Sequence, residues 1–357
     1  MSERPSGPVP AFVLGGTGYV AGELLRLIAG HPRLTLKAVL SDSQPGASVR
    51  AAFPHLASAY PALQFAGIDQ LEQLMRETAV SALFSAAPHG VAAALIDRLL
   101  GAAEAGGVQT HCVDISADFR YPNVEEYEAV YKHTHGAPHR IREFTCAVPE
   151  HLTKAPTRHV AHPGCFATAA LLACVPLLAL ELTESQLFIA GITGSTGSGR
   201  KPVEGTHHPL RHGDLYSYGA LAHRHAPEIA ACAERASGIA AEINFVPHSG
   251  PYARGIHVTV QAALKRPRSS AEALEALAHY YRGCPFVRVS TTAPRVKDVA
   301  ASNYAHLYAA TNGSSIAVMA VLDNLNKGAA GGAVQWMNRL LGFDESLGLT
   351  APAPGWT

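Results

Sequence analysis

The sequence predicts an α/β protein in two parts, a doubly wound parallel sheet followed by an α+β domain. Three observations predict it. At 357 residues the chain is long enough for two domains of roughly 100–200 residues each. The apolar run Ala11-Phe12-Val13-Leu14 passes through a glycine-rich turn into an amphipathic run, the order of strand, turn and helix that opens a parallel sheet. Later apolar runs at 79–86 and 108–115 end in short polar clusters, where strands of such sheets carry their ligands.

Composition excludes several classes. Lys+Arg and Asp+Glu stand at 28 each, so no global charge draws the chain to nucleic acid or to an anionic membrane. The longest apolar run, Ala167 to Leu182, is interrupted by Thr168, Pro176 and Glu181 and is too poor for a membrane span. The opening MSERPSGPVP has no apolar signal core, and the expected location is cytoplasmic. Six cysteines lie at 112, 146, 165, 174, 232 and 284 without a C-x-x-C, which argues against a zinc ribbon and a disulfide framework. Many tight turns between short elements follow from 32 Gly and 24 Pro.

Residues 1–10 read as a polar, mobile leader. Gly15-Gly16-Thr17-Gly18-Tyr19-Val20-Ala21-Gly22 follows the first strand, and Glu23 to Ala29 reads as a helix. Gly16, Gly18 and Ala21 satisfy G-x-G-x-x-A, the Rossmann-type fingerprint. The missing side chains let the backbone approach a pyrophosphate at the helix N-terminus, so Gly15, Gly16, Thr17, Gly18, Tyr19 and Val20 are candidate cofactor contacts. Leu34 to Leu40 reads as the second strand and ends in Ser41-Asp42-Ser43, where an adenine ribose arrives. An acid there bonds the 2′-OH of NAD, while an arginine accepts the phosphate of NADP. Asp42, with Arg50 the nearest basic residue downstream, leaves that choice open. Pro88-His89-Gly90 and Ser116-Ala117-Asp118-Phe119-Arg120 close the next two strands. Tyr121 to Arg142 reads as a polar helix and surface loop, Phe144 to Pro149 leads back to the sheet, and the domain boundary falls near His162.

Beyond that boundary, Pro163 and Gly164 make a turn and an apolar run to about Leu180 reads as a helix, kinked or interrupted at Pro176. Cys165 then heads the helix. Backbone N–H groups and the positive end of the helix dipole favour a thiolate there, and the same groups could hold an oxyanion. A free cysteine is also often a small buried apolar residue.

Gln186 to Ile192 reads as a strand leading to Thr193-Gly194-Ser195-Thr196-Gly197-Ser198-Gly199-Arg200-Lys201, a loop suited to an anion or to a cofactor's nicotinamide end. Histidines cluster at 207, 208, 212, 223 and 225. No helix is expected to carry two of them one turn apart, so no metal site is expected. Ala222-His223-Arg224-His225-Ala226-Pro227-Glu228 places a base, an anion anchor and a carboxylate within a few residues, and a cysteine nucleophile needs a histidine. Strands are expected at 242–246, 255–264, 286–289 and 315–321, and a helix at 270–281. Asp323-Asn324-Leu325-Asn326-Lys327-Gly328 opens the last helix, which runs to about Leu341 and offers either a second cofactor contact or simple capping.

Taken in order, these motifs resemble the N-acetyl-gamma-glutamyl-phosphate reductases, of the wider aspartate-semialdehyde-dehydrogenase type, from about Ala11 to Leu349. The motifs are the Gly15–Gly22 loop with Glu23-Leu24-Leu25-Arg26, Pro88-His89-Gly90, Ser116–Arg120 and Pro163-Gly164-Cys165. Gly197-Ser198-Gly199-Arg200, His223-Arg224-His225 with Pro227-Glu228-Ile229, Pro247-His248 with Arg254-Gly255, and Asp323-Asn324-Leu325 with Lys327-Gly328-Ala329 complete the set.

The resemblance implies a Rossmann domain over 1–162, a catalytic and dimerisation domain over 163–323, and a terminal segment over 324–357 whose helix returns to the first domain. It implies a reductive dephosphorylation of N-acetyl-gamma-glutamyl phosphate, a step of arginine biosynthesis. Cys165 would form a thioester and expel phosphate, and NADPH would deliver hydride. NADP(H) is the implied cofactor, with NAD(H) left open by Asp42. His223, or its competitor His225, would be the acid/base and Glu228 would orient the imidazole. Gly15 to Val20, Ser41, Pro88, His89, Gly197, Ser198, Asn324 and Lys327 would contact the cofactor. Ser116, Arg120, Arg200, Arg224 and Arg254 would serve the substrate. A homo-oligomer, dimer or tetramer, is implied.

The family commonly has Asn-Pro-Gly-Cys-Tyr-Pro-Thr where this chain has His162 and Phe166-Ala167-Thr168. That departure and His207-His208-Pro209 look closer to relatives using an N-succinylglutamyl phosphate or a carrier-protein-bound aminoadipyl phosphate of lysine biosynthesis. Two other classes are a cysteine hydrolase or acyltransferase without hydride transfer, and a nucleotide sensor with an unreactive Cys165.

Overall fold

The computed structural model describes Pro5 and residues 7–355. The leader expected over residues 1–10 lies partly outside them. Where described, it is shorter than expected: β1 (Val9–Leu14) begins at Val9, which is buried and donates its N–H to the Arg33 carbonyl at 2.8 Å. The chain divides into two compact units. The first runs to Ala147 and takes in Lys154–His162 and Ala330–Thr350; the second holds Val148–Thr153, Pro163–Ala329 and the chain from Ala351 on.

The first unit is built on β1, β2 (Leu34–Val39), β3 (Val80–Ser85), β4 (Gln109–Asp114), β5 (Phe144–Cys146) and β6 (His159–Ala161). Among the described residues these form one sheet in the order β2-β1-β3-β4-β6-β5, parallel throughout. Its helices are α1 (Tyr19–Ala29), α2 (Val49–Ala52), α3 (Ile68–Arg76), α4 (Ala92–Ala105) and α5 (Val124–Tyr131). β1 has β2 on one side and β3 on the other, so the chain reverses its direction of winding there. Such a switch point leaves a crevice at the C-terminal ends of the two strands.

One stretch is as expected in outline but not throughout. Tyr121 to Arg142 forms α5 and a largely exposed loop, yet Tyr127, His135 and Arg140 are buried within it. Each polar group is matched. The Tyr127 hydroxyl donates to Asp118 Oδ1 at 3.1 Å, His135 Nε2 bonds the Asp118 carbonyl at 2.6 Å, and Arg140 reaches Asp97 at 2.9 Å and both Glu104 oxygens. Paired in this way, polar residues can enter a core.

The second unit carries β7 (Gln186–Thr193), β8 (Tyr216–Ser217), β9 (Glu242–Ser249), β10 (Ile256–Ala263), β11 (Val287–Val289), β12 (Ala305–Thr311) and β13 (Ser315–Leu322). Their order in the mixed sheet is β11-β12-β13-β10-β7-β9-β8. β10 holds the centre, with Val258 opposite Ala320 of β13 and Gly191 of β7. Its inward residues Ile256, Val258, Val260 and Ala262 are buried at every second position, the period of a half-buried strand. β12 alternates in the same way through Ala305, Leu307 and Ala309, yet it is absent from the elements expected from the sequence.

The helices of this unit are α6 (Cys165–Ala179), α7 (His208–Arg211), α8 (His225–Ser237) and α9 (Ser270–Tyr280). Ser269 and Glu272 start α9 with a reciprocal capping box. α6 is buried from Phe166 to Leu178 on all sides, the mark of a core helix. The break considered at Pro176 does not occur, and the helix continues to Ala179. Pro176 has no N–H for the Leu172 carbonyl. The Tyr281 hydroxyl donates to that carbonyl instead, at 2.7 Å. After β13 a π-helical turn, Asn326–Ala330, leads into α10 (Gly331–Leu340), which belongs to the first unit. Trp336 of α10 is fully buried there and donates its indole N–H to the Ala147 carbonyl at 2.8 Å. No helix among the described residues is long and apolar enough to cross a membrane.

Candidate functional site

The glycine loop of the first unit lies at the switch point. Gly15 has φ +77°, and a Cβ there would lie 2.3 Å from the Ala86 carbonyl oxygen beyond β3. A Cβ on Gly16 would lie 2.6 Å from the Leu40 carbonyl oxygen beyond β2. These two glycines are therefore demanded by the protein's own strands. Gly18 is different: a Cβ there would have no neighbour nearer than 3.7 Å. It is the N-cap of α1 and supplies no side-chain cap, so the first turn of α1 keeps its N–H groups for an outside acceptor. A glycine left open beside an uncapped helix N-terminus fits a pyrophosphate, and the residues present suit a dinucleotide.

The other first-unit candidates divide into two groups. Asp42, Pro88, His89 and Tyr19 are exposed at the strand ends or on the loop, and Thr17 and Val20 are half-buried. His89 Nδ1 accepts the Ala117 N–H at 2.9 Å and so ties the end of β3 to the end of β4. Ser41, Ser116 and Arg120 are buried. The Ser116 hydroxyl donates to Asp114 Oδ2 at 2.6 Å, and Arg120 donates to the His162 and Ile115 carbonyls at 3.1 and 2.8 Å. Ser116 and Arg120 thus build the loop after β4. Burial and the neighbouring Asp118 push the Asp114 carboxyl up to about 6.

In the second unit, Cys165 is the first residue of α6, and Gly164 at the N-cap supplies no side-chain cap. Cys165 is half-buried, whereas Cys112, Cys146, Cys174 and Cys232 are buried; Cys284 is the other half-buried cysteine. The turn before it is held by Glu228 of α8, whose Oε1 accepts the Gly164 N–H at 2.6 Å. Sequence reasoning gave Glu228 to an imidazole; the structure gives one of its oxygens to the backbone next to the thiol. Gly328 of the π-turn lies against the other side, where a Cβ would come 2.8 Å from Cys165 Cβ.

His223 and His225 both lie edge-on to Phe166, with ring centroids 6.3 and 6.4 Å away, and 4.7 Å from each other. Burial, then the Arg224 charge, lowers His223 to about 4, so its ring is neutral near pH 7. Its Nδ1 accepts the His225 N–H at 3.2 Å, which puts the proton of the neutral ring on Nε2 as a donor. Tyr218, which the sequence reading passed over, joins the group. Its ring is 5.6 Å from His223, and burial with the nearby Cys165 sulfur pushes its hydroxyl up to about 12. An isolated tyrosine in a histidine-rich stretch carried no periodic signal.

The glycine–serine loop after β7 forms a 3-10 turn, Ser195–Ser198, stitched to Tyr252 and Ala253 by the Ser195 and Thr196 N–H groups. Gly197, Ser198 and Arg200 are exposed on it, as is Arg224 elsewhere. Arg254, in contrast, forms a two-pronged pair with Asp323 at 2.9 and 3.0 Å. Asp323 also accepts the N–H groups of Ala301, Leu325 and Asn326 and so caps the turn ahead of α10. Asn324 accepts the Gly255 N–H and donates to Thr196. Lys327 is wholly buried, its ammonium 2.6 Å from Glu150 Oε1.

In the histidine stretch, His208 opens α7 and His212 caps its C-terminus, four residues on, with ring centroids 5.2 Å apart. His212 has extended backbone and lies just beyond the helix. No group of three or more His, Cys, Asp or Glu that could hold a metal occurs among the described residues.

Comparison with known proteins places the chain. The NAD-binding domain of semialdehyde dehydrogenases matches residues 11–156, and their dimerisation domain matches residues 165–324. An N-acetyl-gamma-glutamyl-phosphate reductase of Pseudomonas aeruginosa is 37% identical over 348 residues, 96% of this chain and 98% of that one. Its counterpart in Methanopyrus kandleri is 37% identical over 347 residues, 95% and 97% of the two chains. The aspartate semialdehyde dehydrogenase II of Vibrio cholerae, solved with ASA, shares the fold at a TM-score of 0.67 and 15% identity, covering 94% of this chain and 99% of that one. A probable aspartate-semialdehyde dehydrogenase of Pseudomonas aeruginosa does so at 0.64 and 19%, covering 94% and 98%. The chain belongs to the N-acetyl-gamma-glutamyl-phosphate reductase family.

Proposed function

We propose, on that membership, that the protein reduces N-acetyl-gamma-glutamyl phosphate to N-acetylglutamate semialdehyde and phosphate with NADPH, a step of arginine biosynthesis. The observation that carries the reading is Cys165 at the uncapped head of α6, near Tyr218, with His223 packed against Tyr218 and Phe166, in a chain matching these reductases over 96% of its length. Cys165 as thiolate attacks the acyl carbon, the C–O bond to phosphate breaks, and a thioester on Sγ results. The N–H groups at the head of α6 take the developing oxyanion. A bound nicotinamide would supply the hydride for the thioester carbon. His223 Nε2–H donates a hydrogen bond to the oxygen that carries the charge, and as the C–S bond breaks the carbonyl re-forms, the aldehyde leaves and Cys165 returns as thiolate. Glu228 fixes the Gly164 N–H and thereby the start of the helix.

In the same reading, the Gly15–Val20 loop with Ser41, Pro88 and His89 serves the cofactor, together with Gly197, Ser198 and Asn324. Arg200 and Arg224, exposed as they are, serve the anionic ends of the substrate. Arg254, Arg120, Ser116 and Lys327 take internal duties, since their polar groups are met by Asp323, carbonyls, Asp114 and Glu150. Residues 1–162 form the nucleotide-binding part, 163–323 the catalytic and dimerisation part, and 324–357 the terminal segment. The matching dimerisation domain supports self-association as a dimer or tetramer, and the activity fits the cytoplasm.

The test is phosphate-dependent reduction of NADP, with NAD in parallel, by the protein mixed with N-acetylglutamate semialdehyde. The expected result is a nicotinamide absorbance that rises only with phosphate and is abolished by Cys165→Ser. Turnover without phosphate, or undiminished in Cys165→Ser, overturns the reading.

A further inference from the structure

Lys327 and Glu150 form an ion pair with side chains 0% and 1% exposed. A pair so deeply buried loses about as much hydration as it gains in attraction, and apolar residues of similar volume commonly match it in stability. Its place in the structure gives it another use. Lys327 belongs to the π-turn whose next residue, Gly328, presses on Cys165. The Gly328 N–H is bonded five residues back, to the Asp323 carbonyl at 2.9 Å. Such single π-turns are irregular backbone that outside contacts must hold.

The partner arrives from far along the chain. Glu150 lies in Val148–Thr153, a short excursion that belongs to the second unit although the sequence on both sides belongs to the first. The excursion continues in His151, which burial lowers to about 4 and so keeps neutral. His151 Nε2 lies 3.1 Å from the Tyr281 hydroxyl. That hydroxyl spends its one proton on the Leu172 carbonyl of α6, so His151 Nε2–H is the donor between them. One adjacent pair of residues, Glu150 and His151, therefore grips both backbone pieces that meet at the thiol: the π-turn through Lys327, and α6 through Tyr281.

We infer that Glu150 and Lys327 are positioning residues for Cys165, clamping the π-turn against the head of α6 through a buried network completed by His151 and Tyr281. The inference rests on the reading that Cys165 is the nucleophile. The experiment compares the full-length protein with Lys327→Met, with Glu150→Gln/Lys327→Met, and with Cys165→Ser as control. Readouts are urea unfolding, kcat and KM for the semialdehyde, and the pH profile of Cys165 alkylation by iodoacetamide, followed by mass spectrometry. Lys327→Met alone strands the Glu150 charge and loses stability. The double variant regains stability, but kcat falls by about 10–100-fold with KM little changed, and alkylation moves to higher pH. A folded double variant with the parent's kcat and alkylation profile overturns the inference. If the double variant does not fold, Tyr281→Phe, which cuts the α6 arm alone, decides by the same alkylation profile: a shift supports the clamp and no shift overturns it. Turnover retained in Cys165→Ser would instead overturn the functional reading.

Discussion

Gly328→Ala tests how tightly the wall behind the nucleophile is built. The new methyl would lie 2.8 Å from Cys165 Cβ, 3.1 Å from Cys165 Cα and 3.2 Å from a Leu322 methyl. Carbon atoms settle at about 3.5–4.0 Å, so the first contact is short by roughly 0.7 Å or more. Leu322 can swing aside, but the Cα and Cβ of a residue in the first turn of a core helix cannot move without the helix. The displacement therefore falls on the thiol. A misplacement near 1 Å costs about 10²-fold in rate, while overpacking costs about 1–3 kcal/mol of stability. The expected result is a kcat lowered about 10²-fold in the phosphate-dependent NADP assay, with KM for cofactor unchanged and unfolding still cooperative. A folded variant whose kcat drops less than about tenfold, under about 1.4 kcal/mol of barrier, would show that Gly328 does not limit where the sulfur sits.

Two further outcomes follow from buried polar groups. Tyr281→Phe leaves the Leu172 carbonyl of α6 without the hydroxyl that meets it, and urea unfolding should show a loss of about 1–3 kcal/mol; a change below measurement error would mean another donor takes over. His159 is lowered to about 3, first by burial and then by Arg158, His111 and Arg140, and its Nδ1 accepts the Cys112 N–H at 3.1 Å. A ring kept neutral in the fold and protonating near 6.5 when unfolded gives stability that is full above pH 6.5 and is lost as pH falls toward 3. At pH 5 the loss from this residue is about 2 kcal/mol. His159→Asn, whose Oδ1 can take the same N–H, should flatten the fall in unfolding free energy between pH 7 and 5 by about that amount, and an unchanged slope would refute the assignment.

Much of this architecture could be read from local pattern. The Gly15–Gly22 turn, the alternation along β10 and the head of α6 each announce themselves within a dozen residues. What stayed hidden has a common cause in partners remote along the chain. Lys327 read as a cofactor contact, and nothing within the last helix shows that Glu150, 177 residues earlier, waits for it. Arg254 looked available until Asp323 closed on it, and the polar stretch around Tyr127, His135 and Arg140 looked solvated until Asp118, Asp97 and Glu104 supplied its bonds. β12 was a different failure: its signal through Ala305, Leu307 and Ala309 was present but diluted by small residues. In the glycine loop, the motif was legible, but the division of labour was not. Gly15 and Gly16 answer to neighbouring strands, and only Gly18 is left open.

Pro176 and Tyr281 carry a consequence for how such a sequence can drift. The proline withholds the N–H that the Leu172 carbonyl would meet in an ordinary helix, and the tyrosine supplies the missing proton from 105 positions away. An alanine at 176 would restore the internal bond and release position 281 from needing a hydroxyl. Among descendants of this chain the two sites should therefore change in order, the proline first, because losing the tyrosine first passes through a protein with a bare carbonyl in its most buried helix.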